Sequence, residues 1–199
     1  MVSLSNPARP KAPARAADAA PPWAPPLPDV VGPGLRILFV GINPSLTSGH
    51  AGHHFAAPRN PFWRLLHAAG LTPALLRPEE DGTLPSLGLG LTNICARCTP
   101  GAADLAPGEL RAGSALLAEK VARLRPAVVG VVGVSLYGPL FPGGREPGPG
   151  AKRARFGGAP IYFVPNPSGR NAAFPGFEQK RVWFERLRRY AARDDGGVR

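Results

Sequence analysis

The sequence predicts an α/β fold, a three-layer sandwich in which helices flank a short, largely parallel central sheet. Short apolar runs that fit buried strands alternate along the chain with longer segments of helical periodicity. The strand-like runs are almost continuously apolar, as expected for parallel strands buried on both faces. In such sheets ligands bind beyond the carboxyl ends of the strands, so the loops that follow the strands are the candidate functional segments.

The first predicted strand is LRILFV, residues 35–40, which ends at Gly41. A loop containing Gly, Pro, Ser and three His follows as far as Asn60. Asn60 is the predicted N-cap of the next helix, and the proline after it is the first helical residue. The helix FWRLLHAA then ends at Gly70. Residues 87–94, LGLGLTNI, form the next predicted strand.

The second half of the chain continues the alternation. Residues 107–124 place four apolar side chains on one helical face, and AVVGVV at 127–132 is the clearest buried strand. IYFV at 161–164 is a further strand that runs into a Pro-Asn-Pro-Ser-Gly turn. Residues 143–158 are predicted to be a Gly-, Pro- and Arg-rich loop, and residues 177–192 a basic amphipathic helix.

Composition favours a polyanionic partner such as nucleic acid, because the 199-residue chain has 24 Lys and Arg against 13 Asp and Glu, a formal net charge of +11. Residues 1–34 contain nine prolines and eight alanines. We interpret them as a disordered basic tail, either a nonspecific DNA-tethering arm or a solvated extension. Residues 35–199 are predicted to form one domain. Deleting residues 1–30 is therefore expected to weaken nonspecific affinity for nucleic acid at low salt and to leave specific recognition unchanged.

Several classes of protein are disfavoured by what the sequence lacks. No apolar run approaches the ~20 residues of a membrane helix and no secretory leader is recognisable, so we expect a cytoplasmic protein, nucleoid-associated in a bacterium, without a membrane partner. Cys95 and Cys98 are too few for structural zinc or an iron–sulfur cluster, and they lack the strand-then-helix setting of a redox pair. We predict no metal and no cofactor.

The loop after the first strand lacks acids: no Asp or Glu occurs from Val30 to Pro78, so the two-carboxylate site of a glycosidase is not available there. Asn43 offers a neutral carboxamide, which can hold a water molecule without strongly removing its proton. Such a site suits a reaction whose leaving group departs largely unaided. Taken alone, Asn43 before Pro44 is better explained as a turn residue.

Two well-separated loops carry a family resemblance. They are GINPSLTSGHAGHHFAAPRNPFW, residues 41–63, and VPNPSGR, residues 164–170, and the likeness extends through GLTNICARCTPG, residues 90–101. Together they resemble the mismatch-specific uracil/thymine-DNA glycosylase family over roughly the whole chain after residue 34. The resemblance implies a single glycosylase-like domain that acts on DNA.

By this resemblance the protein is a DNA-repair glycosylase that flips uracil, especially opposite guanine, out of duplex DNA and hydrolyses the N-glycosidic bond to leave an abasic site. It would act as a monomer, and without a suitably placed lysine nucleophile we expect no strand cleavage. A non-catalytic module that recognises mismatches or damage on the same fold is the alternative. A small-molecule nucleoside hydrolase is disfavoured by the acid-free loop.

The resemblance assigns roles to the first loop and to the end of the second strand. Asn43 orients the attacking water, and main-chain amides near Ile42 and Asn43 stabilise the departing base. Phe55 matches the position on which the base stacks, and Asn93 presents its carboxamide to the pyrimidine edge; without the resemblance they are an ordinary core aromatic and a polar strand end. The predicted base pocket comprises Gly41, Ile42, Ser45, His54, Phe55 and Asn93.

Ser45 departs from the family, which usually has Gly after the Asn-Pro. A hydroxymethyl group there would crowd the methyl group of thymine, so we expect a strong preference for uracil. His50, His53 and His54 suggest a metal site, but the sequence places no acidic residue beside them, and only the distant cysteines remain to complete a ligand shell. We therefore place His54 beside Phe55 in the base pocket.

The second loop resembles the family's insertion loop, which enters the minor groove and fills the space left by the flipped nucleotide. Arg170 is the candidate wedge, whose guanidinium can hydrogen-bond the orphaned base and so favour guanine; a phosphate contact is its simpler explanation. The Asn-Pro-Ser-Gly sequence is also typical of an ordinary turn. Ser168 in this loop and Ser48 in the first loop are candidate phosphate contacts. The predicted DNA-binding set is Ser48, Asn166, Pro167, Ser168, Gly169 and Arg170.

Overall fold

A computed structural model describes residues 23–168 and 171–194 and contains one five-stranded sheet. The strands are β1 (Ile37–Gly41), β2 (Leu89–Asn93), β3 (Val128–Val132), β4 (Gly150–Phe156) and β5 (Ala159–Val164). Their order is β2-β1-β3-β5-β4, in which every neighbouring pair is parallel except β4 with β5. The predicted α/β fold with a largely parallel sheet is confirmed.

Helices cover both faces of the sheet. They are α1 (Leu46–Ala51), α2 (Phe62–Ala68), α3 (Pro107–Leu124), α4 (Tyr137–Leu140) and α5 (Phe177–Asp194), with a 3-10 segment at Pro78–Leu87. Ile37 and Phe39 of β1 pack into one core with α2 and α5, whereas Leu38 and Val40 pack into the other core with α3 and α4. This two-sided burial explains the unbroken apolar run of β1. Among the described residues no helix is long and apolar enough to cross a membrane.

The segment predicted to be a loop at 143–158 contains the edge strand β4, which is a correction. β4 alternates exposed and partly buried residues and pairs antiparallel with β5. Gly157 and Gly158 join the two strands at φ values of 54° and 84°, as a two-residue hairpin requires. The sequence did not indicate this strand, because its basic residues interrupt the continuous apolar pattern that marks the buried strands.

The N-terminal boundary also needs correction. Leu27 is buried, and the main chain of Val30 donates to and accepts from that of Leu91 at 3.0 and 2.8 Å. The Asp29 carboxylate accepts from Thr92 Oγ1 at 2.6 Å and pairs with Lys120 Nζ at 2.6 Å. Residues in this stretch are therefore packed against the outer edge of β2, although the sequence assigns them to a tail. Residues 1–22 lie outside the described part of the chain.

Candidate functional site

The two loops singled out by the sequence leave the same edge of the sheet. Gly41 and Asn93 are register partners at the carboxyl ends of β1 and β2. β5 ends at Val164, whose carbonyl accepts from Gly133 N–H at 2.9 Å just after β3. Because only β3 separates β1 from β5, the two loops start about two strand spacings, or about 10 Å, apart.

Gly41, Asn93 and Phe55 come together at the start of the first loop. A Cβ atom on Gly41 would meet Asn93 Oδ1 at 2.4 Å and Phe55 Cζ at 3.6 Å. Any side chain at position 41 would therefore displace the Asn93 carboxamide, and glycine leaves room for it. The structure thus unites three of the residues predicted for the base pocket, and Ile42 follows directly in the chain.

Phe55 is held in an unusual conformation. Its φ of 53° is in the left-handed region, which a bulky aromatic residue seldom adopts and which marks functional sites. One face of its half-buried ring stacks on Phe62, with 3.8 Å between ring centroids and 18° between planes. Phe62 is fully buried and meets Phe39 of β1 edge-on, so the support under Phe55 comes from the core.

His54 lies behind Asn93 and is almost wholly buried. Its Nε2 is 3.0 Å from the Pro28 carbonyl oxygen, so this nitrogen carries the proton and Nδ1 is the acceptor. Asn93 Nδ2 is 3.5 Å from that Nδ1. Burial lowers the pKa of His54, which keeps the ring neutral at pH 7 and consistent with this arrangement.

Asp81 is a site residue that the sequence analysis missed. Its buried carboxylate accepts from the main-chain N–H of His54 at 3.2 Å and lies 3.2 Å from Nδ1 of His53. The expectation that these histidines have no acidic neighbour was therefore wrong, because Asp81 arrives from a segment 27 residues further along. Even so, the described residues contain no group of three or more His, Cys, Asp or Glu side chains able to hold a metal ion.

Asn43 has a carboxamide whose orientation is fixed. Nδ2 lies 2.7 Å from Thr99 Oγ1 and 3.1 Å from each of the carbonyl oxygens of Arg97 and Pro44, so its two hydrogens are directed at three acceptors and one of them is shared. Thr99 Oγ1 itself donates to the Gly101 carbonyl at 2.6 Å, so it can only accept from Asn43. No hydrogen bond between described residues uses Asn43 Oδ1, which remains an acceptor for a water or a ligand.

The segment after β2 holds the first loop in place. Cys95 N–H donates to Ile42 O at 2.9 Å, and Thr99 N–H donates to Pro44 O at 3.1 Å. Cys95 and Cys98 are both buried with free thiols, and burial raises the pKa of each. Thr99, the hydrogen-bond partner of Asn43, was not predicted from the sequence, because a lone buried threonine forms no recognisable pattern.

Two serines of the first loop serve its own structure. Ser45 is the N-cap of α1, and its hydroxyl accepts from Ser48 N–H at 3.1 Å. Ser48 is only 3% exposed, and its hydroxyl accepts from Ala56 N–H at 3.2 Å. Burial and these bonds argue against the predicted phosphate contact of Ser48.

The second loop begins with an Asx turn. Asn166 Oδ1 accepts from Ser168 N–H at 2.9 Å, and Asn171 Nδ2 donates to the Asn166 carbonyl at 3.1 Å. Pro167 between them is buried. The predicted DNA-contacting residues Gly169 and Arg170 lie outside the described residues, so the wedge assignment stays a prediction.

The architecture is that of an α/β protein whose candidate site lies at the carboxyl edge of a parallel sheet, and comparison with known proteins places it in a family. The sequence profile of the uracil DNA glycosylase superfamily matches residues 28–188. The chain therefore belongs to that superfamily, whose members act on DNA. The match begins at Pro28, within the packed N-terminal stretch rather than at residue 35.

A solved structure shares the fold. It is a solution NMR structure of a protein from Methanosarcina acetivorans that has been proposed to be a uracil DNA glycosylase. The TM-score is 0.50 at 20% sequence identity, over 82% of this chain and 98% of that chain. At this identity the likeness supports the fold, and the chemistry has to be argued from the site.

Proposed function

We propose that the protein is a monofunctional uracil-DNA glycosylase that acts as a monomer on uracil, above all opposite guanine, in duplex DNA. The observation that carries this proposal is the fixed carboxamide of Asn43, whose Oδ1 remains an acceptor two residues after Gly41. Beside it, Phe55 and Asn93 converge on Gly41 to form a place for a flat pyrimidine. Superfamily membership supplies DNA as the substrate class.

In the proposed reaction, Asn43 Oδ1 accepts a hydrogen bond from the attacking water and directs the water oxygen toward C1′ of the deoxyribose. The C1′–N1 bond breaks and its electron pair leaves with uracil as an anion. The water forms the new C1′–O bond and releases its proton to solvent, from which the uracil anion takes up a proton. Main-chain N–H groups of Ile42 and Asn43 stabilise the departing anion. Because an amide is no general base, catalysis rests on positioning and on the stability of the leaving group.

Base choice follows from the polarity of the Asn93 carboxamide. With His54 Nδ1 as an acceptor near Asn93 Nδ2, the amide group faces His54 and Oδ1 faces Gly41. Oδ1 then accepts from uracil N3–H, and the second hydrogen of Nδ2 donates to uracil O4. Cytosine presents the reverse pattern of donor and acceptor at this edge and is disfavoured, because donor would face donor and acceptor would face acceptor at the half-buried Asn93 carboxamide. Phe55 stacks on the extruded base.

Two residues set the finer preferences. The Ser45 side chain beside the base disfavours the thymine methyl group, and Arg170 inserted in the duplex favours an orphaned guanine. Since glycine is also accepted at helix N-caps, Ser45→Gly removes the side chain at a small cost to α1. The ratio of thymine to uracil release is expected to rise in Ser45→Gly; an unchanged ratio would show that Ser45 does not exclude thymine.

The deciding experiment measures single-turnover base release from duplexes containing U·G, U·A and T·G. Each product is analysed with and without alkali treatment, which cuts the strand at an abasic site. We expect uracil release that requires alkali to cut the strand, and a loss of at least about 100-fold, or about 2.7 kcal/mol, in Asn43→Ala. Asn60→Ala is the matched control, since it removes the same group before α2. Tight binding of U·G duplex without release would instead indicate a mismatch-binding module, and strand cutting without alkali would contradict a monofunctional enzyme.

A further inference from the structure

A lysine buried beneath the second loop has no part in the mechanism above. Lys180 lies in the first turn of α5 and is only 2% exposed. Lysine is almost never buried to this degree unless its charge is compensated, because removing an ammonium group from water is costly. The burial of Lys180 lowers its pKa.

The partners of Lys180 are carbonyl groups of the loop. Nζ donates to the carbonyl oxygens of Pro167 at 3.0 Å and Ser168 at 3.1 Å. Within the described residues, 23–168 and 171–194, Lys180 takes part in no ion pair. Among the described residues, the charge of Lys180 is therefore balanced by the two carbonyl dipoles of Pro167 and Ser168.

The loop geometry explains why a cation is placed there. Asn166 Oδ1 accepts from Ser168 N–H at 2.9 Å, which turns the chain directly after β5. The turn presents two successive carbonyl oxygens to α5, and these oxygens repel each other unless a shared donor lies between them. Without Lys180 the carbonyl of the buried Pro167 would lose the ammonium donor, and the Ser168 carbonyl would keep the N–H of Asn171 at 3.1 Å, so the start of the loop would be held less firmly.

We propose that Lys180 is a positioning residue that fixes the start of the second loop, residues 166–168, and thereby supports the opening of duplex DNA. This inference rests on the proposed function, in which residues 166–170 enter the space left by the flipped uracil. Lys180 acts through Pro167 and Ser168 and touches neither the base nor the water. Its loss should therefore impair extraction of a stacked, paired uracil and leave the chemistry on an accessible uracil almost intact.

The test compares two substrates that share one uracil context: a fully paired U·A duplex, and the same sequence with the uracil in a three-nucleotide mismatched bubble. Single-turnover release is measured for the wild type, Lys180→Met and Lys180→Arg. Arg188→Met is the matched control, because Arg188 is on the same helix and donates to a main-chain carbonyl, that of Ala69, at 2.9 Å. Fluorescence of 2-aminopurine beside the uracil reports base opening directly.

We expect Lys180→Met to lose at least tenfold on the paired duplex and less than threefold in the bubble, with a matching loss of the 2-aminopurine signal. Lys180→Arg should keep most of the wild-type rate on the paired duplex, since a guanidinium can also donate to two carbonyls. Equal losses on both substrates, or none on either, would overturn the inference. If Lys180→Met fails to fold, Lys180→Gln, which removes the charge and keeps a polar donor, decides it by the same substrate ratio. A wild type that releases no uracil from either substrate would refute the proposed function instead.

Discussion

Two truncations of the N-terminus, one that removes residues 1–22 and one that removes residues 1–31, should differ in their effect on stability. A variant lacking residues 1–22 keeps every contact described above for the stretch from Leu27 to Val30. A variant lacking residues 1–31 loses all of them. The sequence alone predicted that removal up to residue 30 affects only nonspecific DNA affinity, so this pair of variants separates that expectation from what the structure implies.

The expected cost of the longer truncation can be worked from its contacts. Burial of the Leu27 side chain contributes about 2 kcal/mol, and the two main-chain hydrogen bonds between Val30 and Leu91 contribute about 1 kcal/mol each. Loss of the Pro28 carbonyl also leaves the buried Nε2–H of His54 unpaired, at about 1 kcal/mol or more. We expect the free energy of unfolding to fall by about 5 kcal/mol, a large part of the total for a domain of this size.

Urea unfolding followed by circular dichroism measures this difference, and uracil release measures its effect on the site. The variant without residues 1–22 should match the full chain in stability and in the ratio of U·G to U·A release, with weaker low-salt affinity for undamaged DNA if the arm tethers DNA. Leu27→Ala, expected to cost about 2 to 3 kcal/mol, covers the case in which the longer truncation does not fold. Stability of the longer truncation within 1 kcal/mol of the shorter one would refute the reasoning.

Three further predictions concern the site and its supports. Gly41→Ala should slow uracil release at least tenfold without a large change in melting temperature, because its Cβ would lie 2.4 Å from the carboxamide oxygen across the sheet; Gly82→Ala, with no atom within 4 Å, is the control. Thr99→Val removes the 2.7 Å acceptor of Asn43 Nδ2 and should lower the single-turnover rate about tenfold with DNA affinity unchanged, whereas an unchanged rate would mean that the two carbonyl partners suffice. An arginine and a main-chain N–H lower the pKa of Glu109 from 4.5 to about 2, so its stabilisation is present above pH 4.5 and lost as the pH falls through 2; acid titration of Glu109→Gln should lack that loss.

The elements with strong local patterns were predicted well. The helix predicted at 107–124 has those bounds, and the predicted run AVVGVV contains β3. Both succeed because a buried parallel strand is continuously apolar and an amphipathic helix repeats every three to four residues. α1 was missed, since its six residues include a glycine and two hydroxyl side chains and show no apolar face.

The candidate site was predicted in part. Gly41, Phe55 and Asn93 were named from motifs and do come together, because they follow strands that end at one edge. The supports of the site were not foreseen: Asp81 contacts His54 across 27 residues, and Lys180 reaches Ser168 across 12. Such contacts are set by how separate segments pack, and no spacing in the sequence records them.

By itself the sequence determined the fold class, the order of the main strands and helices, and the two loops on which function depends, because hydrophobic periodicity and short motifs are local properties of the chain. Only the tertiary structure decided which way the Asn43 carboxamide faces, that Ser48 is buried, and that the stretch around Pro28 belongs to the domain. Each of these depends on hydrogen-bond partners that folding brings from distant positions. A sequence pattern can name a functional side chain, but its orientation and its partners are properties of the packed molecule.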